Sequence, residues 1–208
     1  MNKKLLAVLA LVAVIGSGAF AQLAIGASGA LYSDTSLSAD TVFARFQKGD
    51  GVFWGPFIEL GLDKLALGFS ANFSVYNEDW GFTSFKMMDM DYTFYVQGHP
   101  LGYKYWIDPF VEAGGGYMAK DYANSNEDPD PDNPILKTGY FQLGGGLGFN
   151  LGALGIFAKV DYVFPSNTAS TADVKYYDAS GVQQIYTYDL AQYPIRRMKF
   201  LIGAKILL

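Results

Sequence analysis

The sequence predicts an all-β protein, an eight-stranded antiparallel up-and-down transmembrane β-barrel. Two observations support this prediction. In about eight segments of the 208-residue chain, large apolar residues alternate with small or polar ones, which is the period of a β-strand whose two faces differ. Long polar stretches and short links alternate between these segments, as in a meander whose longer loops all lie at one end.

A targeting segment precedes the first predicted strand. The basic pair Lys3-Lys4 is followed by the apolar stretch 5–15 and then by Ala19-Phe20-Ala21. This order of basic, apolar and small residues, ending in an A-x-A pattern, is typical of a bacterial signal peptide. The alternative is a transmembrane anchor, which needs about 20 apolar residues. We therefore predict a signal peptide over 1–21, cleaved after its last residue, and a barrel over 22–208 with no helical span.

The third predicted strand shows the alternation most clearly. Leu65, Leu67 and Phe69 have one parity, whereas Gly68 and Ser70 have the other. A helix of the same sequence would scatter the large side chains around its circumference. By this criterion the predicted strands are 23–32, 53–62, 64–76, 88–98, 110–119, 138–151, 155–164 and 195–208.

The predicted connections alternate in length. In the second short link, which begins at His99, residues 104–108 fit either a strand or a turn. The other short links are 63–64 and 152–154. The long polar stretches are 33–52, 77–87, 120–137 and 165–194.

The distribution of charge predicts which face of the barrel is outside. A soluble barrel has its apolar parity inside, and a membrane barrel reverses this arrangement. Here the polar parity combines small residues with nearly balanced acids and bases, which fits a narrow lumen, while the apolar parity is almost free of charge, as lipid contact requires. The predicted charge network of the lumen comprises Glu59, Asp89, Asp91, Glu112, Lys159, Asp161, Arg197, Lys199 and Lys205.

Aromatic residues lie near several ends of the apolar face. Membrane barrels have such residues at both interfaces. The candidate girdle residues are Trp54, Tyr76, Tyr103, Tyr105 and Phe164.

Two segments resemble those of a known superfamily. The stretch Asp108-Pro-Phe-Val-Glu-Ala-Gly-Gly-Gly-Tyr117 resembles a strand opening of the small outer-membrane barrels of the OmpA, OmpX and OmpW type. In the last strand, Gly203, Ile206 and Leu208 resemble their barrel-assembly signal, although an aromatic residue is usual at the terminus and a polar one at Leu201. The resemblance implies location in the outer membrane of a diderm bacterium, with membrane lipid and the barrel-assembly machinery as partners.

Composition excludes several kinds of chemistry. The formal net charge of −5 and the isoelectric point near 4.7 argue against a nucleic-acid partner. With no Cys there is no disulfide, thiolate zinc site or Cys nucleophile. The single histidine, His99, lies beside Pro100 and is interpreted as a turn residue rather than as part of a lipid-modifying centre. We therefore predict no catalytic residues and no cofactor.

An acidic run in the third long stretch has the spacing of a calcium loop. Asp128, Asp130 and Asp132 fit its first, third and fifth positions. However, Asn133 stands where such loops have Gly, and Gly139 stands where they have a bidentate Glu. Because its prolines favour an extended, solvated chain, the run is a weak metal candidate.

The segment 174–188 alternates around Ala179-Ser180-Gly181 and predicts a hairpin projecting from the last long stretch. Its tyrosines, at positions 176, 177, 186 and 188, could form an adhesive surface or pack within the hairpin, and we favour packing.

The glycine-rich run 144–148 has no phosphate-loop Lys-Ser/Thr. We interpret its inward glycines as room for neighbouring aromatic side chains, namely Phe57, Tyr95 and Phe157.

Three functions are compatible with these features. The first is a structural or surface-interaction barrel that works through long extracellular loops and an extracellular ligand. The second is a narrow channel for small or hydrophobic solutes. The third is a lipid-modifying barrel enzyme, which has the least support from the residues. A filled lumen would favour the first function, and an open or laterally gapped pocket would favour the second.

Overall fold

A computed structural model describes residues 21–33, 52–79, 84–124, 136–166, 171–178, 180–189 and 198–208. None of these residues forms a helix long and apolar enough to cross a membrane. The strands are β1 Ala21–Ser33, β2 Val52–Leu62, β3 Leu65–Asp79, β4 Ser84–Gly98, β5 Ile107–Tyr122, β6 Leu136–Leu151, β7 Leu154–Pro165, β8 Thr171–Tyr177, β9 Gln183–Asp189 and β10 Met198–Leu207.

Eight of these strands close into a barrel in the order β1-β10-β7-β6-β5-β4-β3-β2, and β8 and β9 form a separate hairpin. The first and last strands complete the barrel, since β1 pairs antiparallel with β10 from Ala24 opposite Leu207 to Ser33 opposite Met198. The predicted all-β, eight-stranded, antiparallel up-and-down barrel is therefore confirmed. Closure leaves no unpaired sheet edge in the wall.

Several strands are longer than their apolar pattern suggests. The pair β3 and β4 continues to Asp79 opposite Ser84, so the predicted long stretch 77–87 is wrong and only 80–83 separates the two strands. Likewise β5 continues through Lys120 to Tyr122. Backbone hydrogen bonds between the strands continue past polar side chains at a strand end. The alternating apolar pattern stops where those polar residues begin, so it predicts strands that are too short. At the other end of the barrel, β5 begins at Ile107, so 104–106 belong to the turn.

The large apolar side chains point outward along the barrel wall. Phe94 is 69% exposed and Leu143 is also exposed, while Asp91 and Gln142, of the opposite parity, are fully buried. On β6 the outward apolar positions run from Phe141 to Leu151. Eleven residues of a tilted strand match the 9–11 that cross a bilayer, and thus an apolar band roughly 25 Å tall.

Glycines accommodate aromatic rings across neighbouring strands, although not where the sequence suggested. A side chain at Gly26 would collide with Phe57, and one at Gly68 would collide with Tyr95. The same holds for Gly203 and Phe157. The prediction that the 144–148 run leaves room for these rings is therefore wrong. Within that run, Gly144 lies against Asp161, and Gly146 lies against Lys159 and Phe110.

The β8–β9 hairpin lies against the loop end of β4 and β5. Tyr176 and Val174 are buried with Phe85, Met87 and Tyr122, and Tyr186 packs against this rim cluster. The Tyr122 hydroxyl also donates to the Lys175 carbonyl at 3.0 Å. Packing is therefore the role of Tyr176 and Tyr186, whereas Tyr177 is exposed. The side chain of Tyr188 lies outside the described residues.

The tip of this hairpin should respond to acid through Asp178. Its carboxylate accepts from the backbone N–H groups of Val182 at 3.0 Å and Ser180 at 2.9 Å, and from Gln184 Nε2 at 3.0 Å. The Val182 N–H bond, followed by that of Gln184, lowers the pKa of Asp178. Because the folded-state pKa of Asp178 is lowered, these bonds are fully present above the unfolded-state pKa of about 3.9 and are lost as the pH falls through the lower folded-state pKa.

We therefore expect the Val182 amide proton resonance to move with a midpoint below pH 4, and to stay constant in Asp178→Asn, which keeps an acceptor but does not titrate. A midpoint at or above the unfolded-state value would contradict the bonding at the tip.

Candidate functional site: the barrel lumen

A diametric ion pair crosses the bore toward the loop end. Lys199 on β10 and Asp91 on β4 lie on opposite sides of the barrel, with three strands between them in either direction. The Lys199 Nζ lies 2.6 Å from Asp91 Oδ2, and both side chains are buried. Asp91 also accepts from Tyr32 at 2.7 Å, from Thr93 at 3.2 Å and from Tyr140. We call these five residues the Asp91 cluster.

A second network, the Glu112 cluster, lies nearer the turn end. Lys159 Nζ is 2.6 Å from both Glu112 oxygens and 3.3 Å from Asp161. Gln97 and Gln142 donate to the same carboxylate at 2.9 and 2.7 Å. Glu112 is thus held by one cation and two amides, so its burial is offset by several hydrogen bonds.

The Glu59 cluster occupies the turn end of the lumen. Lys205 Nζ lies 2.9 Å from Glu59 Oε2. Tyr103 donates to the same oxygen at 2.7 Å, and Tyr95 donates to Oε1 at 3.0 Å. Burial raises the pKa of Tyr103, and the nearby Glu59 carboxylate raises it further. The Tyr103 phenol therefore stays protonated and acts as a donor.

A further cation lies at the loop end of the lumen. Lys120 on β5 faces Asp89 on β4 in the strand register, with 3.9 Å between their charged atoms. The Tyr76 hydroxyl donates to Asp89 at 3.1 Å and is also contacted by Lys120. Sequence reasoning missed Lys120 because the predicted strand stopped at residue 119. Its parity with Glu112, continued two residues at a time, would have identified it.

Apolar side chains fill the lumen beside the Asp91 cluster. Leu201, where a polar residue is common in the resembled superfamily, packs inside the barrel with Phe53, Met118 and Val163. The rings of Tyr32 and Tyr140 belong to the same cluster, so the two tyrosines join it to the Asp91 carboxylate. The interior is thus partly hydrophobic, which the polar parity alone did not indicate.

The structure brings together most of the residues predicted for the lumen. Arg197 lies outside the described residues. The other eight are buried within the barrel, and each participates in an ion pair there. Those eight are Glu59, Asp89, Asp91, Glu112, Lys159, Asp161, Lys199 and Lys205.

Two of the candidate girdle residues point inward instead. Tyr103 is 1% exposed and lies in the Glu59 cluster, and Tyr76 bonds to Asp89. The prediction is wrong for Tyr103 because the turn that carries it folds back into the bore. It is wrong for Tyr76 because this residue shares the parity of the β3 residues that face the lumen. The remaining candidates, Trp54, Tyr105 and Phe164, are exposed.

The remaining predicted site residues lie elsewhere. His99 is buried in the β4–β5 turn, with Nδ1 2.7 Å from Asp108 Oδ1. Gly203 lies under Phe157, while Ile206 and Leu208 face outward and are exposed. The weak calcium candidates Asp128, Asp130 and Asp132 lie outside the described residues. Among the described residues, no group of three His, Asp or Glu side chains could hold a metal ion.

A comparison with solved structures agrees with this architecture. No protein-family model matches the chain, and neither does any curated protein. A major outer membrane protein from Thermus thermophilus has a similar structure, with 12% identity, a TM-score of 0.50 and coverage of 90% of this chain and 99% of that one.

Two further solved structures are similar over 90% of this chain and 97% of their own. They are the N-terminal β-barrel domain of Pseudomonas aeruginosa OprF, at 16% identity and a TM-score of 0.46, and Neisserial surface protein A, at 10% and 0.48. The likeness at these identities concerns the fold. The chain has the fold of the small outer-membrane β-barrels.

Proposed function

We propose that this chain is a non-enzymatic barrel of a bacterial outer membrane and that it acts through its loop end as a structural or surface-interaction protein. The observation that carries the proposal is the filled lumen. The Asp91, Glu112 and Glu59 clusters occupy successive levels of the bore, and the first of them crosses its full diameter. Axial flow would require these buried ion pairs to separate, and breaking such pairs is costly.

The outer wall supports the membrane location. Its outward side chains are large and apolar, and closed pairing satisfies the backbone groups that hydrocarbon could not solvate. On this proposal the segment 1–21 is a signal peptide removed after Ala21, membrane lipid covers the wall, and the barrel-assembly machinery recognises Gly203, Ile206 and Leu208.

The loop end supports the surface role. The β8–β9 hairpin is anchored on the rim through the rim cluster, while its other face presents Tyr177 and Ile185. Val182 is exposed near the tip. A hairpin that is packed against the rim and exposes aromatic and aliphatic groups is suited to contacts with an extracellular ligand.

A narrow channel for small or hydrophobic solutes is the second candidate. An apolar cavity of about 580 Å³ on the barrel wall favours it, with a lining that includes Trp54, Leu147, Phe149, Ile156 and Ile202. A lateral route for an apolar solute could begin there. The charged clusters in the bore argue against passage along the axis.

Two measurements on one protein test the surface role. An epitope inserted at the β8–β9 tip, after Gly181, should be accessible on intact cells, and refolded protein should pass no steady current in a planar bilayer. The matched control is the same epitope after Gly152 in the β6–β7 turn, where the backbone also has positive φ and open surroundings. That tag should become accessible only after the outer membrane is permeabilised. Reversed accessibility would contradict the topology, and large steady currents would favour the channel.

A further inference from the structure

The turn between β4 and β5 reaches across the barrel. Residues 99–106 connect two neighbouring strands. Nevertheless, the Tyr103 side chain packs with Ala24 on β1, Ala66 on β3 and Leu207 on β10. Strands β1 and β10 lie on the far side of the barrel from β4 and β5. The turn therefore bridges the bore at this end.

The wall formed by β10, β1, β2 and β3 is shaped to receive the Tyr103 ring. A Cβ atom at Gly61 would lie 2.3 Å from Tyr103 Cδ1, so this position has no room for a side chain. Ala24 and Ala66 are small and fully buried beside the ring. Polar groups complete the recess, because Glu59 accepts the hydroxyl and Lys205 Nζ lies 4.1 Å from the ring centroid.

Hydrogen bonds to the backbone of the turn hold it in this position from two sides. Tyr103 N donates to the Asp63 carbonyl at 2.7 Å. From β6, Asn150 Nδ2 donates to the carbonyls of Tyr103 at 3.1 Å and Tyr105 at 2.8 Å. The ring is thus presented to the recess by a turn that is tied to both the β2–β3 turn and β6.

We propose that the β4–β5 turn is a stopper and that the recess is a binding socket for a phenol, occupied by the chain's own Tyr103. The socket is defined by Ala24, Glu59, Gly61, Ala66 and Lys205. Its apolar walls fit the ring, its cation faces the ring, and its carboxylate accepts a hydrogen bond from the hydroxyl group. The stopper closes the turn end of the bore and links β10 to β2 and β3 across the seam where β1 meets β10. This inference concerns the folded barrel alone, so its outcome is independent of what the loop end binds.

Emptying the socket provides the first test. Tyr103→Ala should unfold at least roughly tenfold faster in detergent, since a buried ring and a charge-assisted bond are lost. Added p-cresol should restore most of the kinetic stability, and toluene, which lacks the hydroxyl, should restore less, as apolar cavities bind ligands of matching size. Tyr105→Ala is the control in the same turn, because Tyr105 is 53% exposed, and it should unfold like the wild type. Equal effects of Tyr103→Ala and Tyr105→Ala, or no response to p-cresol, would overturn the proposal.

A second test uses the close contact at Gly61 and does not depend on a ligand. Gly61→Ala should accelerate unfolding in the wild-type background, because the new methyl group collides with the ring. In the Tyr103→Ala background the same change should have little effect, since the space is then empty. Equal effects of Gly61→Ala in both backgrounds would overturn the socket. If Tyr103→Ala does not fold, Tyr103→Phe replaces it. The retained ring should still collide with the methyl group of Gly61→Ala, and loss of the hydroxyl group should accelerate unfolding. A Tyr103→Phe variant that unfolds as slowly as the wild type would overturn the Glu59 contact.

Discussion

Replacing Lys199 by Met is expected to lower the free energy of unfolding by about 3–5 kcal/mol, the usual cost of removing one partner of a buried ion pair. Lys199 is 1% exposed and lies 2.6 Å from Asp91. Without it, the partners that the described residues offer this carboxylate in the bore are the neutral donors Tyr32, Tyr140 and Thr93. Those donors stabilise the charge, but they do not neutralise it.

The measurement is urea unfolding of wild type and variant in the same detergent. Lys86→Met is a matched control, because Lys86 also lies on a barrel strand but points outward and is exposed. That change should stay within about 0.5 kcal/mol. Adding Asp91→Asn to Lys199→Met should recover part of the loss, since the uncompensated charge is then gone. A Lys199→Met barrel as stable as the Lys86→Met control would show that the diametric pair is not a structural element.

Replacing Leu147 by Arg should cost roughly 2–4 kcal/mol if the wall is embedded in lipid, because a charge then faces the middle of the hydrocarbon. Leu147 is exposed and lies within the outward series that runs from Phe141 to Leu151 on β6. In a water-soluble barrel the same exposed position would tolerate Arg with a change within about 0.5 kcal/mol. The substitution therefore distinguishes lipid from water as the solvent of this face.

Leu151→Arg is the matched control on the same strand and the same face. Leu151 is the last residue of β6, beside the β6–β7 turn, and it is exposed. Near the interface the cost of Arg falls to about 0–1 kcal/mol. When both variants are unfolded in lipid vesicles, Leu147→Arg should thus lower the free energy of unfolding much more than Leu151→Arg does. Equal costs at the two positions would contradict a membrane-spanning wall.

The wall of the barrel could be predicted from the sequence because it depends on local alternation. The parity of Asp91 and Lys199 placed both side chains inside before any contact was known, and the same rule placed Leu143 outside. Alternation also indicated the hairpin around Ser180-Gly181, which is now seen as β8 and β9. It did not locate strand ends, since the polar residues around Asp79 and Lys120 continue the ladder after the apolar pattern has stopped.

Partners across the bore could not be predicted in this way. Lys199 and Asp91 are 108 positions apart in the chain, and their meeting depends on strand order, tilt and closure together. The position of Tyr103 is a stronger example, because the turn that carries it looked like an interfacial aromatic segment. Only the folded barrel shows the space left by Gly61 and Ala66 into which that ring fits.

The sequence by itself thus determined the class of fold, the number of barrel strands and the inward face of eight charged residues of the lumen, because each follows from a period of two along a single strand. The tertiary structure decided which charges are paired, what fills the bore and how its turn end is closed. Those features depend on distances between strands that are remote in the chain. A local pattern holds no information about such distances until closure of the barrel sets its diameter and stagger.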